Sequence, residues 1–333
     1  MTSVVVTGGL GFIGSNFLHH IIESQDNVQI TNIDYEGVGS NPANATDLPK
    51  SSYRFVKGDI ADEKLVSKIL KDADWIVNFA AETHVDRSIA NPEIFFHSNT
   101  NGPFNLFEIA RKTRVKKIVH VSTDEVYGST KSGSFDENSP LNPSSPYSST
   151  KAAADLMARA WHATYELPIV VVRCTNNFGP YQYPEKLIPK TIIRALHGQS
   201  IPLYGGGYQV RDWTYVRDFC NGIEKALLKG RAGEVYNFSA GNELSNRQIV
   251  EKVLKHLGKE NVVEIQTTED RPGHDYRYSL SSNKARRELG WKPNNEFDDA
   301  LALTVKWYLE YDYWWKPLAS EKVLSATPWK EKW

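Results

Sequence analysis

The chain has 333 residues, 40% of them hydrophobic and 24% charged, which is ample for more than one buried core. Its formal net charge is -1, so no general field draws nucleic acid or an anionic membrane surface, and any anionic ligand needs a local site. Two cysteines, Cys174 and Cys220, exclude a disulfide framework and lack metal-ligand spacing. The N-terminus runs straight into Val4-Val5-Val6 without a basic, long apolar leader, and no apolar run spans a bilayer; the expectation is a cytoplasmic protein with reduced thiols.

In chain order, strands are expected at Ser3–Thr7, Val28–Ile33, Tyr53–Lys57, Trp75–Phe79, Lys117–Ser122 and Ile169–Arg173. Helical periodicity occupies Phe12–Glu23, Glu63–Leu70, Pro92–Arg111 and Tyr147–Tyr165 between them. Short β-branched runs separated by helices predict α/β architecture: a Rossmann-type doubly wound parallel sheet covered on both faces. After about residue 175 glycine and proline become frequent and the alternation stops. A division into a dinucleotide-binding domain, 1–175, and a smaller α+β substrate-binding cap, 176–333, is expected, with some later chain returning to the first unit. The aromatic tail Trp307–Trp333 reads as packing of a terminal helix on the body.

Thr7-Gly8-Gly9-Leu10-Gly11-Phe12-Ile13-Gly14 follows a strand and opens a helix. Glycines there let the backbone approach a pyrophosphate, and the helix N-terminus faces its charge. Asp34 ends the next strand, where an acid accepts bonds from ribose hydroxyls and repels a 2′-phosphate; NAD is the expected cofactor. Asp59-Ile60 and Phe79-Ala80-Ala81 end two further strands on the same side of the sheet.

Tyr147 and Lys151, four apart at a helix start, share one face and form a candidate proton-transfer pair. The Lys151 ammonium, with a cationic nicotinamide, is expected to lower the phenol pKa. Thr123 follows the fifth strand and suits a hydrogen bond to a substrate hydroxyl. Asp124 and Glu125 come next; in a water-poor pocket they would separate into one acid and one base. Both reach one substrate only if the chain has already turned at Thr123.

These segments, with FAAETHVDRSI at 79–89, STDEVYG at 122–128, NNFGPYQYPEKLIP at 176–189, QVRDWTYVRD at 209–218 and RPGH at 271–274, resemble the extended short-chain dehydrogenases/reductases, most closely the dTDP-glucose 4,6-dehydratases. The resemblance implies NAD contacts at Phe12, Ile13, Asp34, Asp59, Ile60, Ala80, Ala81, Tyr147, Lys151 and Asn177. It implies nucleotide-sugar contacts at Thr83, Thr123, Asn176, Lys186, Leu187, Arg211, Asn246, Arg271 and His274, and a homodimer through the helices at 92–111 and 147–165. It further implies C4 oxidation, loss of water across C5–C6 with Glu125 as base and Asp124 as acid, and hydride return to C6. A dehydratase acting on a UDP- or GDP-sugar, a 4-epimerase and a non-catalytic NAD sensor are the alternatives; the Asp124-Glu125 pair speaks against the epimerase, and the intact set of Thr123, Asp124, Glu125, Tyr147 and Lys151 against the sensor. The loop Tyr35-Glu36-Gly37-Val38-Gly39 after Asp34 departs from the family pattern, and Thr83 stands where serine is common.

Overall fold

The computed structural model describes residues 1–333. Twelve strands run in chain order: β1 Thr2–Thr7, β2 Val28–Asp34, β3 Tyr53–Lys57, β4 Trp75–Asn78, β5 Lys117–Thr123, β6 Ile169–Cys174, β7 Asn176–Phe178, β8 Ile201–Tyr204, β9 Val210–Tyr215, β10 Val235–Phe238, β11 Glu243–Ser245 and β12 Ile265–Thr268. Seven of them make one parallel sheet in the order β10-β6-β5-β4-β1-β2-β3. The strand order reverses between β1 and β4, and this opens a crevice at the carboxyl ends of the strands, where such sheets bind ligands.

The all-apolar centres of β1 and β6 explain why both faces are covered. Val4 and Val6 face one buried cluster with Phe17 and Phe219, while Val5 joins a second with Ile76 and Phe107. Burying a Val or Phe side chain is worth about 1.5–3 kcal/mol. The helix Pro92–Arg111 expected from periodicity is interrupted: Pro92–Phe96 and Gly102–Ala110 are α-helical, and His97–Asn101 forms a wider π turn. Pro103 has no N–H for the ordinary helical bond, so the wider turn lets the chain pass without a break.

Past Cys174 the chain does not stay apart. The helix Val216–Lys229 packs on the main sheet, and β10 adds its edge strand beside β6. Two small sheets build the remainder, β11-β9-β7 and β12-β8. Tail aromatics pack as expected for Trp314 and Trp315, which are buried; the Trp314 indole donates to Asn44 Oδ1 at 2.6 Å. No helix is long and apolar enough to cross a membrane.

Candidate active site

Gly8 sits at φ 70°, and a Cβ there would lie 2.6 Å from the backbone nitrogen of Ala80. At Gly14 it would lie 2.3 Å from the Gly8 carbonyl oxygen. The turn is thus closed to any side chain. Gly11 caps the helix Phe12–Ser24 without a side-chain bond, which leaves the first-turn N–H groups pointing into the crevice. Asp34 accepts from the Leu10 N–H at 3.0 Å, the Glu36 N–H at 2.9 Å and the Ser40 hydroxyl at 2.9 Å. Three bonds leave a carboxylate room for one more donor, so a ribose hydroxyl fits there. Asp59, Ile60, Ala80, Ala81 and Asn177 line the same cleft, and the buried Asn177 Oδ1 has no partner. An aimed acceptor, a side-chain-free turn and open helix N–H groups together fit a dinucleotide.

The helix Pro146–Tyr165 is set by a capping box. Ser145 Oγ accepts from the Ser148 N–H at 3.1 Å, Ser148 Oγ accepts from the Ser145 N–H at 3.0 Å, and Pro146 starts the first turn. This fixes Tyr147 and Lys151 at the crevice floor, both buried. Lys151 Nζ donates to the Val121 carbonyl at 2.7 Å, and burial lowers its pKa to about 8. Burial, then the Glu125 charge, raises the Tyr147 phenol well above its usual value, and a hydrogen bond with Thr123 opposes them. The expected lowering by Lys151 is therefore not what the protein's own groups produce. Desolvation wins, and a cation over the phenol is what would reverse it.

The turn required at Thr123 is present. β5 ends there and Asp124–Tyr127 is a single 3₁₀ turn, with Thr123 Oγ1 accepting from the Glu125 N–H at 3.2 Å. Both acids enter the cleft beside Tyr147. Asp124 is buried; its Oδ1 accepts from Thr123 Oγ1 at 3.1 Å and its Oδ2 has no partner. Burial, then Glu125, raises its pKa to about 8. Glu125 is also raised by burial, but Arg271, Arg211 and Lys186 pull it back. Asp124 is thereby held protonated at neutral pH, while three cationic neighbours favour the ionised form of Glu125.

A second cavity adjoins the first through Thr83, Glu125, Asn176 and Lys186. Leu187, Arg211, Asn246, Arg271 and His274 line it, so every site residue expected from the sequence falls in one of the two cavities. Arg211 donates to the Asp275 carbonyl at 2.9 Å and lies 4.2 Å over the Tyr278 ring. Arg271 donates to Asp86 at 2.6 Å, and its buried Nε has no partner. The His274 imidazole is pushed down to about 4 by burial and Arg271, hence neutral. Sequence reading missed Asp86, Glu185, Lys190, Tyr204 and Tyr278, which also line this wall. Asp86 lies inside a segment already singled out; Tyr204 carried no local signal.

Fold and site together define an enzyme of the extended short-chain dehydrogenase/reductase class in which two adjacent carboxyls, Asp124 and Glu125, share the cleft of Tyr147. The family model described as GDP-mannose 4,6 dehydratase matches residues 5–304. A dTDP-glucose 4,6-dehydratase of Streptomyces niveus is 47% identical over 98% of this chain and 98% of its own. The low-salt glycan biosynthesis protein Agl12 of Haloferax volcanii is 46% identical over 93% of this chain and 99% of its own. Among solved structures, a dTDP-glucose 4,6-dehydratase of Streptomyces venezuelae with NAD and dTDP bound superposes with a TM-score of 0.92 at 46% identity, covering 96% of this chain and all of the other. The chain belongs to the dTDP-glucose 4,6-dehydratase family.

Proposed function

We propose that this chain is an NAD-dependent hydro-lyase that converts dTDP-glucose to dTDP-4-keto-6-deoxyglucose. The observation that carries the reading is the placing of Asp124 and Glu125 in the cleft of Tyr147, Asp124 buried and held protonated and Glu125 facing Arg271, Arg211 and Lys186. An epimerase needs no second acid and base. Gly8, Gly11, Phe12, Ile13, Gly14, Asp34, Asp59, Ile60, Ala80, Ala81 and Asn177 would hold NAD. Bound NAD supplies a hydride acceptor for C4 and, once reduced, a hydride donor for C6.

Tyr147 takes the proton of the 4-hydroxyl, with Lys151 beneath it and the Thr123 hydroxyl on the same oxygen. The resulting ketone acidifies C5–H, and Glu125 removes that proton. Asp124 donates its proton to the departing 6-hydroxyl, so one water leaves; when C6 receives hydride, C5 takes back a proton from Glu125, which exchanges with solvent. Lys186, Arg211 and Arg271 offer cationic donors to the diphosphate. Thr83, Asn176, Leu187, Asn246 and His274 complete the nucleotide-sugar wall. We assign residues 1–175 to the cofactor and 176–333 to the nucleotide sugar, the Val216–Lys229 helix and β10 serving the first unit.

A homodimer is part of this reading. The helices at 92–110 and 146–165 leave Phe96, Phe104, Leu156 and Tyr165 exposed, which suits a second copy. A cytoplasmic location suits its two free thiols. Incubation with dTDP-, UDP- and GDP-glucose in parallel tests the activity. Loss of one water from dTDP-glucose is expected; an isomer of unchanged mass would favour the epimerase, and faster turnover of another nucleotide would move the substrate assignment.

A further inference from the structure

We infer that the C-terminal segment, residues 320–333, is a strap that positions the nucleotide wall of the second cavity, with Trp329 as its key. The inference rests on the function proposed above. Trp329 lies in a short 3₁₀ turn, Pro328–Lys330, and is buried. Its ring meets Tyr204 edge-on with centroids 4.8 Å apart. Tyr204 lines the cavity and donates its hydroxyl to Asp86 at 3.0 Å; Asp86 in turn holds Arg271. The strap thus stands behind an aromatic, an acid and a guanidinium that face the ligand.

Other contacts point the same way. Lys190, which lines the same cavity, donates to the Ser325 carbonyl at 3.1 Å, and Arg194, one turn on, donates to the Leu324 carbonyl at 3.0 Å. The Trp333 ring lies 5.6 Å from the guanidinium of buried Arg87, and its indole N–H donates to the Pro328 carbonyl at 2.7 Å, which holds the turn shut. Lys330 pairs with Glu269 of the segment leading into Arg271. None of these strap residues lines either cavity, so they act through others as positioning residues.

A contact of this kind sets ligand affinity and leaves the chemistry alone. An edge-on aromatic pair is worth about 0.5–1.5 kcal/mol, so Trp329→Ala is expected to raise KM for dTDP-glucose about two- to twelvefold, with kcat within about twofold. Affinity for dTDP alone, measured by calorimetry, falls by the same factor, while NAD content is unchanged. Trp329→Phe restores both, since it keeps a ring against Tyr204. A chain ended after Thr327 serves as the second variant and is expected to match or exceed the Trp329→Ala loss. If either variant folds and binds dTDP as the wild type does, the strap inference fails and the function stands. A parallel fall in kcat and in NAD content would likewise overturn it, by showing general loosening. If the wild type binds no dTDP, the functional reading falls first.

Discussion

Replacing Asp124 by asparagine keeps its shape and its bond with Thr123 but removes the only proton this side chain can give. In the wild type its pKa of about 8 leaves the acid mostly protonated at neutral pH and mostly ionised a pH unit or two higher. General acid catalysis contributes roughly 10²–10⁴-fold, so the elimination step of Asp124→Asn is expected to slow by that factor, about 3–5 kcal/mol of barrier. Oxidation at C4, which we assign to Tyr147 and Lys151, should persist. Stopped-flow absorbance would show reduced cofactor forming at the normal rate and then accumulating. In the wild type the elimination rate should fall as pH rises through about 8; in the variant that fall disappears. Lys151 is also held at about 8, so oxidation keeps its own alkaline limb in both proteins. Unimpaired elimination in the variant, or a variant that cannot reduce its cofactor, would refute the division of labour between the acid pair and the tyrosine.

The same carboxyl carries a stability cost. Its folded pKa lies above the ordinary carboxylate value of 3.8, so between about pH 4 and 8 the native state binds more protons than the unfolded chain and stability declines as pH rises. Asp124→Asn is therefore expected to melt higher than the wild type at pH 8, with the gap closing towards pH 4 in thermal scans. Gly8→Ala forces a Cβ to 2.6 Å from the Ala80 nitrogen at φ 70°; bound NAD, read from the ultraviolet spectrum of the purified protein, should be lost or sharply reduced. Tyr147→Phe should lower kcat by roughly 10²-fold or more with dTDP affinity retained. Sedimentation at micromolar concentration should give a dimer, and Leu156→Glu, a charge on an exposed apolar face, should give monomer.

How much of this was legible beforehand follows the range of the interactions. β3 and the helix Glu63–Leu70 fall where the short strand run and the helical periodicity place them, because their limits are local; the structure adds an Asp62 cap at the helix start. The turn after Thr123 was inferred as a condition: two adjacent acids share a pocket only if the strand has ended, and it has. β10 was not identified, since Val235–Phe238 is four residues long and its partner β6 lies some sixty residues earlier. Tyr204 and Lys190 escaped for the same reason. They belong to the cavity through tertiary packing with no motif to announce them, whereas Glu185 lies inside the 176–189 segment already singled out. For the phenol of Tyr147 spacing points to the neighbouring lysine, while the opposing effect of burial appears only in the folded chain.

Isotope tracing tests the central claim most directly. Turnover of dTDP-glucose deuterated at C4, in ordinary water, should give a 4-keto-6-deoxy product that carries the label at C6; turnover of unlabelled substrate in heavy water should place one solvent deuterium at C5. Label lost to solvent, or returned to C4, would contradict the account.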